Sequence, residues 1–339
     1  MIYCATRLAP SDKFIYNHFF DYYKNELGIQ KFFINFNYKL GHEKEFNIFI
    51  DNVLKDYGKD IVYNIGPNGP DVAETANISR IKELVKIHTS DKDFILTADS
   101  DELHFIPIDL KDIDSFDFDY IGGTTLERVA SDFSVDHSLS KIKNYKELFK
   151  TFNFNLPKFR KPKISLSRKN LFIDGVTVGH HGISKKELRE KSKQYPIPSQ
   201  VNHFKWHKEG VGQMQFWNKL WSSEEYHGWK GSRDEHINVA RNALRNGSIF
   251  IVNKIDADLK NEFNFEFDYS IKEKSLKNGF NIYIHIVNES DVYSMNNSLY
   301  RQFQNYNPLD SLQMFCYKSN SQIKFANQLD LYFFNNFYK

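Results

Sequence analysis

Apolar positions in the first hundred residues recur at two alternating spacings. Short runs at positions 2–5, 32–34 and 61–65 have the length and density of buried strands. Between them, Ile15, Phe19, Tyr22, Tyr23 and Leu27, and then Phe46, Phe49, Ile50, Val53 and Leu54, each fall on one helix face. Ser11 or Asp12 is placed to cap the first helix, and Gly28 to stop it. Beyond the turn-rich Gly66-Pro67-Asn68-Gly69-Pro70, a third face of Ile78, Ile81, Leu84 and Val85 leads into Phe94-Ile95-Leu96-Thr97-Ala98. This βαβαβαβ order predicts an α/β fold, an open, doubly wound, mostly parallel twisted sheet with helices on both faces.

The fourth run delivers Asp99-Ser100-Asp101-Glu102, three carboxylates in four residues. They fall at the C-terminal end of a buried strand, the edge where open α/β sheets bind ligands. If the extended conformation persists, period-two alternation puts Asp99 and Asp101 on one side and Ser100 and Glu102 on the other. Paired carboxylates on a rigid element suit Mg²⁺ or Mn²⁺, which prefer oxygen ligands and leave positions for substrate phosphates.

Farther along, positions 120–121 read as a strand ending in Gly122-Gly123, and positions 132–163 as a polar, aromatic and irregular insert or acceptor-facing region. Positions 164–166, 171–173 and 201–206 read as strands, and a helix carries Phe216, Trp217, Leu220 and Trp221. A helix over 234–245 ended by Asn246-Gly247, then strands at 249–252 and 282–287, complete the pattern. The expected division is 1–255 for the main domain and 256–339 for a small C-terminal α/β extension.

Composition narrows the function classes. A net charge of +2 with 26% charged residues gives no broad electrostatic footprint for nucleic acid. The 2 cysteines, Cys4 and Cys316, lie near opposite ends and make neither a disulfide framework nor a cysteine metal site. No apolar stretch is long enough to span a membrane, and the first ten residues lack signal-peptide character, so a cytoplasmic setting is expected. Lys158, Arg160, Lys161, Lys163, Arg168 and Lys169 form a local basic stretch. It reads as a solvated loop and strand edge, or as a contact for phosphate or for an anionic membrane face.

Other chemistry-bearing residues lie downstream. His180 and His181 sit in Val178-Gly179-His180-His181-Gly182, whose glycines imply unusual backbone or close approach. His203 alternates with Lys205 on one strand face, with His207 nearby; imidazole completes carboxylate metal sites and Lys205 meets phosphate as a point charge. Ser232 and Glu235 have capping-box spacing, and the same helix start presents Asp234 or Glu235 as a general base beside Arg233. Trp206, Trp217, Trp221, Tyr226 and Trp229 are either core or a platform for sugar faces.

Thr97-Ala98-Asp99-Ser100-Asp101-Glu102, preceded by Phe94-Ile95-Leu96, resembles the apolar-run-then-D-x-D-E element of family 2-like glycosyltransferases of the GT-A fold. His18-Phe19-Phe20-Asp21-Tyr22-Tyr23, Leu27-Gly28-Ile29 and Phe33-Ile34 resemble the opening of these enzymes. Gly123-Thr124-Thr125-Leu126-Glu127-Arg128-Val129-Ala130 and Asn202-His203-Phe204-Lys205-Trp206 resemble later elements, in order, over roughly residues 1–250.

The resemblance implies a GT-A-like domain in which Asp99 and Asp101 hold Mn²⁺ or Mg²⁺ against the diphosphate of a sugar nucleotide, with His203 as third ligand. Thr6, Arg7, Asn35 and Arg80 are then candidates for the nucleotide, a UDP-sugar foremost. Inversion at the sugar requires a carboxylate base, Asp174 in Ile173-Asp174-Gly175 or the pair Asp234 and Glu235. The chain lacks the Q-x-x-R-W signature and membrane helices of processive synthases, so single sugars should pass to a saccharide or lipid-linked acceptor, as in surface polysaccharide synthesis. Two rivals stand beside this expectation. One is a metal-dependent nucleotidyltransferase or phosphoesterase, the former disfavoured because no glycine-rich basic loop follows the first strand; the other is a non-catalytic glycan-binding protein.

Overall fold

The structure, a computed structural model, describes residues 1–38, 42–67, 74–106, 108–130, 134–152, 154–156, 162–195, 199–221, 253–254, 281–287, 311–319 and 322–325. The chain opens with β1 (Ile2–Leu8), α1 (Tyr16–Asn25), β2 (Phe32–Tyr38), α2 (Glu43–Tyr57), β3 (Ile61–Pro67), α3 (Glu74–His88) and β4 (Phe94–Thr97). Then come β5 (Glu102–Phe105), β6 (Tyr120–Val129), α4 (Tyr145–Thr151), β7 (Phe154–Leu156), β8 (Pro162–Arg168), α5 (Lys169–Asp174), α6 (Lys186–Lys191), β9 (Ser199–His203) and α7 (Lys208–Trp221). These strands form one 9-stranded sheet in the order β3-β2-β1-β4-β8-β6-β9-β5, with β7 beside β6.

The first four strands are parallel to one another, as their helical crossovers require. The sheet becomes mixed beyond β4, where β8 runs antiparallel to β4 and β6, and β9 runs parallel to β6 and antiparallel to β5. Alternation along β2 places Phe32, Ile34 and Phe36 in a core with α1 and α2, whereas Phe33 enters a second core with Ile81, Leu84 and Val85 of α3. Each face of the parallel half is therefore covered, and every residue of β4 is buried. A second, 4-stranded sheet contains β10 (Asn253–Lys254), β11 (Asn281–Val287), β12 (Ser311–Ser319) and β13 (Gln322–Phe325). Among the described residues, no helix is long and apolar enough to cross a membrane.

Four local expectations are overturned. The strand expected to stop at Gly122-Gly123 continues to Val129. A Cβ on Gly123 would lie 2.1 Å from Ser199 Oγ and 2.6 Å from Ser199 O, so this glycine permits close strand approach instead of ending the strand. Residues 171–173 are helical: Leu171 and Phe172 bury in the core shared with α3, and so short an apolar run is ambiguous by periodicity. The segment expected as an insert supplies Tyr145, Leu148, Phe149 and Phe152 to the main core. Neither Ser11 nor Asp12 caps α1; the Asp12 carboxylate accepts the Ala9 N–H at 2.7 Å in a preceding 3₁₀ turn.

Helix α1 also anchors the strand that carries the acidic motif onward. Tyr22 donates its hydroxyl to His104 O at 2.8 Å and Tyr23 to Glu102 O at 2.9 Å, while His104 N donates to the Tyr23 oxygen at 3.2 Å. The first and third residues of β5, Glu102 and His104, are thereby held through buried hydroxyls.

Candidate functional site

At the end of β4 the backbone turns at once. Ala98 N still donates to Ala5 O at 3.2 Å, but Glu102 N then bonds Asp99 O at 3.0 Å and Asp99 N bonds Glu102 Oε2 at 3.1 Å. The extended conformation that would align Asp99 with Asp101 does not persist, so the alternation expected for the motif fails. Asp99 and Glu102 instead share Lys163 of β8, whose Nζ lies 3.3 Å from Asp99 Oδ2 and 2.6 Å from Glu102 Oε1. Arg7 Nε lies 3.8 Å from Asp99 Oδ1. Burial opposes ionisation of both carboxyls, yet the Lys163 ammonium outweighs it and holds Asp99 below, and Glu102 well below, the usual carboxylate range. Lys163, though buried, has its pKa raised by the same pair. This basic residue is therefore part of a buried ion cluster and not of a solvated loop.

Asp101 points elsewhere. Strand β9 places His203 opposite Glu102 on one side and opposite Glu127 of β6 on the other. His203 Nε2 lies 3.1 Å from Asp101 Oδ2, and its Nδ1 lies 2.9 Å from Glu127 Oε1. Lys205 donates to the same Glu127 oxygen at 3.1 Å, and the Trp206 indole N–H donates to Glu127 Oε2 at 2.7 Å. Burial disfavours an imidazolium here, but Glu127 and Asp101 prevail and push His203 up to about 10. Against its own burial, Glu127 is pulled down to about 2 by His203 and Lys205. Glu127 and Trp206 are buried, whereas Asp101 and His203 are partly open to solvent. The buried Trp206 is thus a hydrogen-bond donor inside the fold and not a sugar platform.

Two more groups border the acidic turn. Asp12 has its carboxyl pushed up to about 6, chiefly by burial and further by Asp101, against the bond from Ala9. His180 lies in the loop between α5 and α6, on a φ of 59° directly after Gly179 at 68°. Among non-glycine residues, that left-handed conformation costs of order 1–3 kcal/mol and survives only where the surroundings impose it. Burial, with Lys163 nearby, lowers the His180 pKa to about 4. The inference of unusual backbone thus holds for Gly179, while a Cβ on Gly182 would meet open space.

Of the nucleotide candidates, Thr6 and Arg7 lie toward the C-terminal end of β1, Asn35 in the middle of β2, and Arg80 on α3. Thr6 and Asn35 are buried, and Asn35 Nδ2 donates to Asn77 Oδ1 at 3.0 Å and to Asn37 Oδ1. With the amide in that orientation, Asn35 Oδ1 is buried with no partner among the described residues. Arg80 Nη1 is likewise buried and unpartnered, and it lies 1.7 Å from where a Cβ on Gly66 would sit. Asp174, by contrast, is exposed at the end of α5, in the electrostatic range of Lys82. Asp234, Glu235, Arg233, Tyr226, Trp229, Lys158, Arg160 and Lys161 lie outside the described residues, as do the side chains of Trp217 and Trp221.

No group of 3 or more His, Cys, Asp or Glu side chains among the described residues is gathered as a metal cluster. Asp101 and His203 form the facing pair, with Asp99 drawn aside by Lys163. The donor chemistry nonetheless suits a divalent cation. A ring nitrogen and a carboxylate oxygen face each other, and the second ring nitrogen is held by a buried carboxylate, as in carboxylate–histidine–metal arrangements. Two such ligands suffice for an ion that keeps waters and substrate phosphates.

The sequence pattern marks Lys163 only as one of a basic stretch and Glu127 only as part of a longer motif, because a charged residue within a strand reads as solvent-facing until its cross-sheet partners are known.

No protein-family model matches the chain, and no curated protein matches it. One similar solved structure is a Bacillus anthracis protein described as a glucose-1-phosphate thymidylyltransferase, in complex with sucrose. It is 11% identical, with 63% of this chain and 93% of that chain covered, at a TM-score of 0.31. A likeness of that degree carries no functional argument. Fold and site together define a mixed α/β protein with a carboxylate–histidine site at the C-terminal edge of its parallel strands.

Proposed function

We propose that the protein is a metal-dependent transferase acting on a nucleotide sugar. More particularly, we read it as a GT-A-like glycosyltransferase that moves one sugar from a nucleoside diphosphate sugar, UDP foremost, to a saccharide or lipid-linked acceptor, with inversion. The observation that carries this reading is the Asp101–His203–Glu127 line, which presents an oriented imidazole and a carboxylate beside Asp99 at the ligand-binding edge of the sheet.

In this scheme Asp101 and His203 would hold Mn²⁺ or Mg²⁺, and Asp99 would join them as a third ligand on turning away from Lys163. When bound, the cation supplies Lewis-acid neutralisation of the departing diphosphate. His203 must release the proton that Asp101 and Glu127 stabilise before Nε2 can act as a ligand, and Glu127 keeps the ring oriented as it does so. Lys205 is a fixed charge beside Glu127 that favours phosphate nearby. Asn35, Arg80, Thr6 and Arg7 receive the nucleotide, with the unpartnered Asn35 Oδ1 and Arg80 Nη1 as acceptor and donor for it. Asp174, Asp234 and Glu235 remain the candidates for taking the acceptor hydroxyl proton. In keeping with this scheme, residues 256–339 form an appended unit, and the enzyme works in the cytoplasm or at the inner membrane face.

The test is a thermal-shift panel of UDP, GDP, CDP and dTDP, each with and without Mn²⁺, on the wild type and Asp101→Asn. A native-state ligand at a hundred times its dissociation constant adds about 2.7 kcal/mol. A Mn²⁺-dependent shift with one nucleotide, absent in the variant, supports the reading. If no nucleotide shifts the wild type, the proposal fails and the glycan-binding alternative takes its place.

A further inference from the structure

His180 has no part in holding either the cation or the nucleotide in this scheme, yet the fold constrains it closely. The loop is closed by the pairing of Val176 with Ile183 and by Thr177 N to Gly182 O at 3.0 Å and Ser184 N to Gly175 O at 2.8 Å. Within it, His180 N donates to Thr177 O at 3.0 Å, and two successive left-handed residues fold the chain back. The result is an imidazole that is only 8% exposed, packed within electrostatic range of Lys163, Asp99, Glu102 and His104. Its Nδ1 is buried and makes no hydrogen bond among the described residues.

A buried ring nitrogen without a partner is destabilising unless something supplies one. The local charges already satisfy each other: Lys163 is taken by Asp99 and Glu102. Burial next to that ammonium keeps the ring uncharged, so His180 is poorly suited to hold phosphate as a cation. An uncharged imidazole is instead matched to a neutral hydroxyl, with which it can exchange a hydrogen bond in either tautomer. The candidate cation ligand Asp99 lies within electrostatic range of the ring, so a donor whose diphosphate reaches Asp99 would bring its sugar toward His180.

We propose that His180 Nδ1 hydrogen-bonds a hydroxyl of the transferred sugar, making His180 a specificity-determining residue for the donor. This rests on the reading of the site as one for a nucleoside diphosphate sugar. A site built to bond a hydroxyl discriminates strongly against a ligand that lacks it, because its own polar atom is then left unpaired.

The experiment is calorimetric titration, in Mn²⁺, of wild type, His180→Ala, His180→Asn and His180→Gly. The probes are UDP, GDP, CDP and dTDP, and the sugar nucleotides UDP-glucose, UDP-galactose, UDP-N-acetylglucosamine and GDP-mannose. The expected result is that His180→Ala binds the free diphosphate within about twofold of wild type but loses about tenfold or more for the sugar nucleotide. His180→Asn, which tolerates the left-handed backbone and carries an amide acceptor, should recover part of that loss. Glycine adopts this backbone without strain, so His180→Gly reports on the side chain alone if the alanine variant does not fold. Equal losses for free diphosphate and sugar nucleotide, or no loss for either, overturn the inference while the transferase reading stands. If no diphosphate or sugar nucleotide binds the wild type, both fall together.

Discussion

Glu127 grips His203 from inside the sheet, Oε1 to Nδ1 at 2.9 Å, and so aims the other ring nitrogen at Asp101. The three residues come from β6, β9 and the turn after β4, and the β5–β9–β6 register brings them together. Because Glu127 is buried and also accepts from Lys205 and Trp206, the ring orientation belongs to the fold and does not await a ligand. Preorganisation of this kind is what a cation site at a sheet edge needs.

The first prediction concerns pH in the metal-free protein. His203 is raised from an unperturbed value near 6.5 to about 10 in the folded state. A raised pKa means the folded protein binds the proton more tightly, so the contribution is fully present below about pH 6.5 and is lost as pH rises through about 10. Linkage sets an upper bound of about 5 kcal/mol on that loss. Urea titrations in EDTA at pH 6, 8 and 10 should show the wild type losing its advantage over His203→Gln as pH rises. A difference independent of pH would refute the imidazolium.

Mutation of the orienting carboxylate should separate folding from metal affinity. Glu127→Gln leaves His203 and Lys205 without their buried anion, which should cost about 3–5 kcal/mol. Loss of ring orientation should also weaken Mn²⁺-dependent nucleotide binding roughly 10–100-fold. Calorimetry on the folded fraction checks the second effect, and unchanged Mn²⁺ dependence would detach Glu127 from the site.

How much of this was legible in the sequence differs from element to element. The parallel half was, because Phe94 to Thr97 and the helical faces of Phe46 to Val53 and Ile78 to Val85 obey simple periods set by burial. The acidic motif could be located but not oriented: one turn hydrogen bond, Glu102 N to Asp99 O, sends Asp99 toward Lys163 and leaves Asp101 for His203. The pairings of Lys163 with Glu102 and of Glu127 with His203 could not be read from the sequence, since the partners lie about 60 to 80 positions away. Gly123 was misread because the demand on it comes from Ser199, across the sheet.

That demand makes Gly123 testable. Gly123→Ala places a methyl 2.6 Å from the Ser199 carbonyl, a backbone atom that cannot move without shifting β9. Overpacking of this kind typically costs about 1–3 kcal/mol, and the β6–β9 register that sets Glu127 opposite His203 is displaced with it. Chemical denaturation should show the loss, and nucleotide affinity should fall although the mutation touches no ligand. Wild-type stability in the variant would mean that β6 and β9 are not packed this closely.

Lys163 offers the sharpest test of the ion cluster, because its removal should reverse the pH dependence of a buried carboxyl. In the wild type Glu102 is held well below its usual range; its contribution is therefore present above the unfolded pKa near 4.3 and disappears as pH falls through the folded value. Lys163→Met leaves Glu102 buried beside Asp99 without the ammonium that contacts it, Arg7 standing beside Asp99 instead, and breaking such a pair should cost about 3–5 kcal/mol at pH 7. Burial then dominates and raises the Glu102 pKa above its unfolded value, so the folded variant takes up a proton that its unfolded chain does not hold at neutral pH. Stability of the variant should consequently rise as pH falls from 7 toward 5, narrowing the gap to wild type. Urea midpoints for both proteins at pH 5, 6 and 7 measure this directly. A gap that is constant or widens toward pH 5 would show that Glu102 does not depend on Lys163 for its charge.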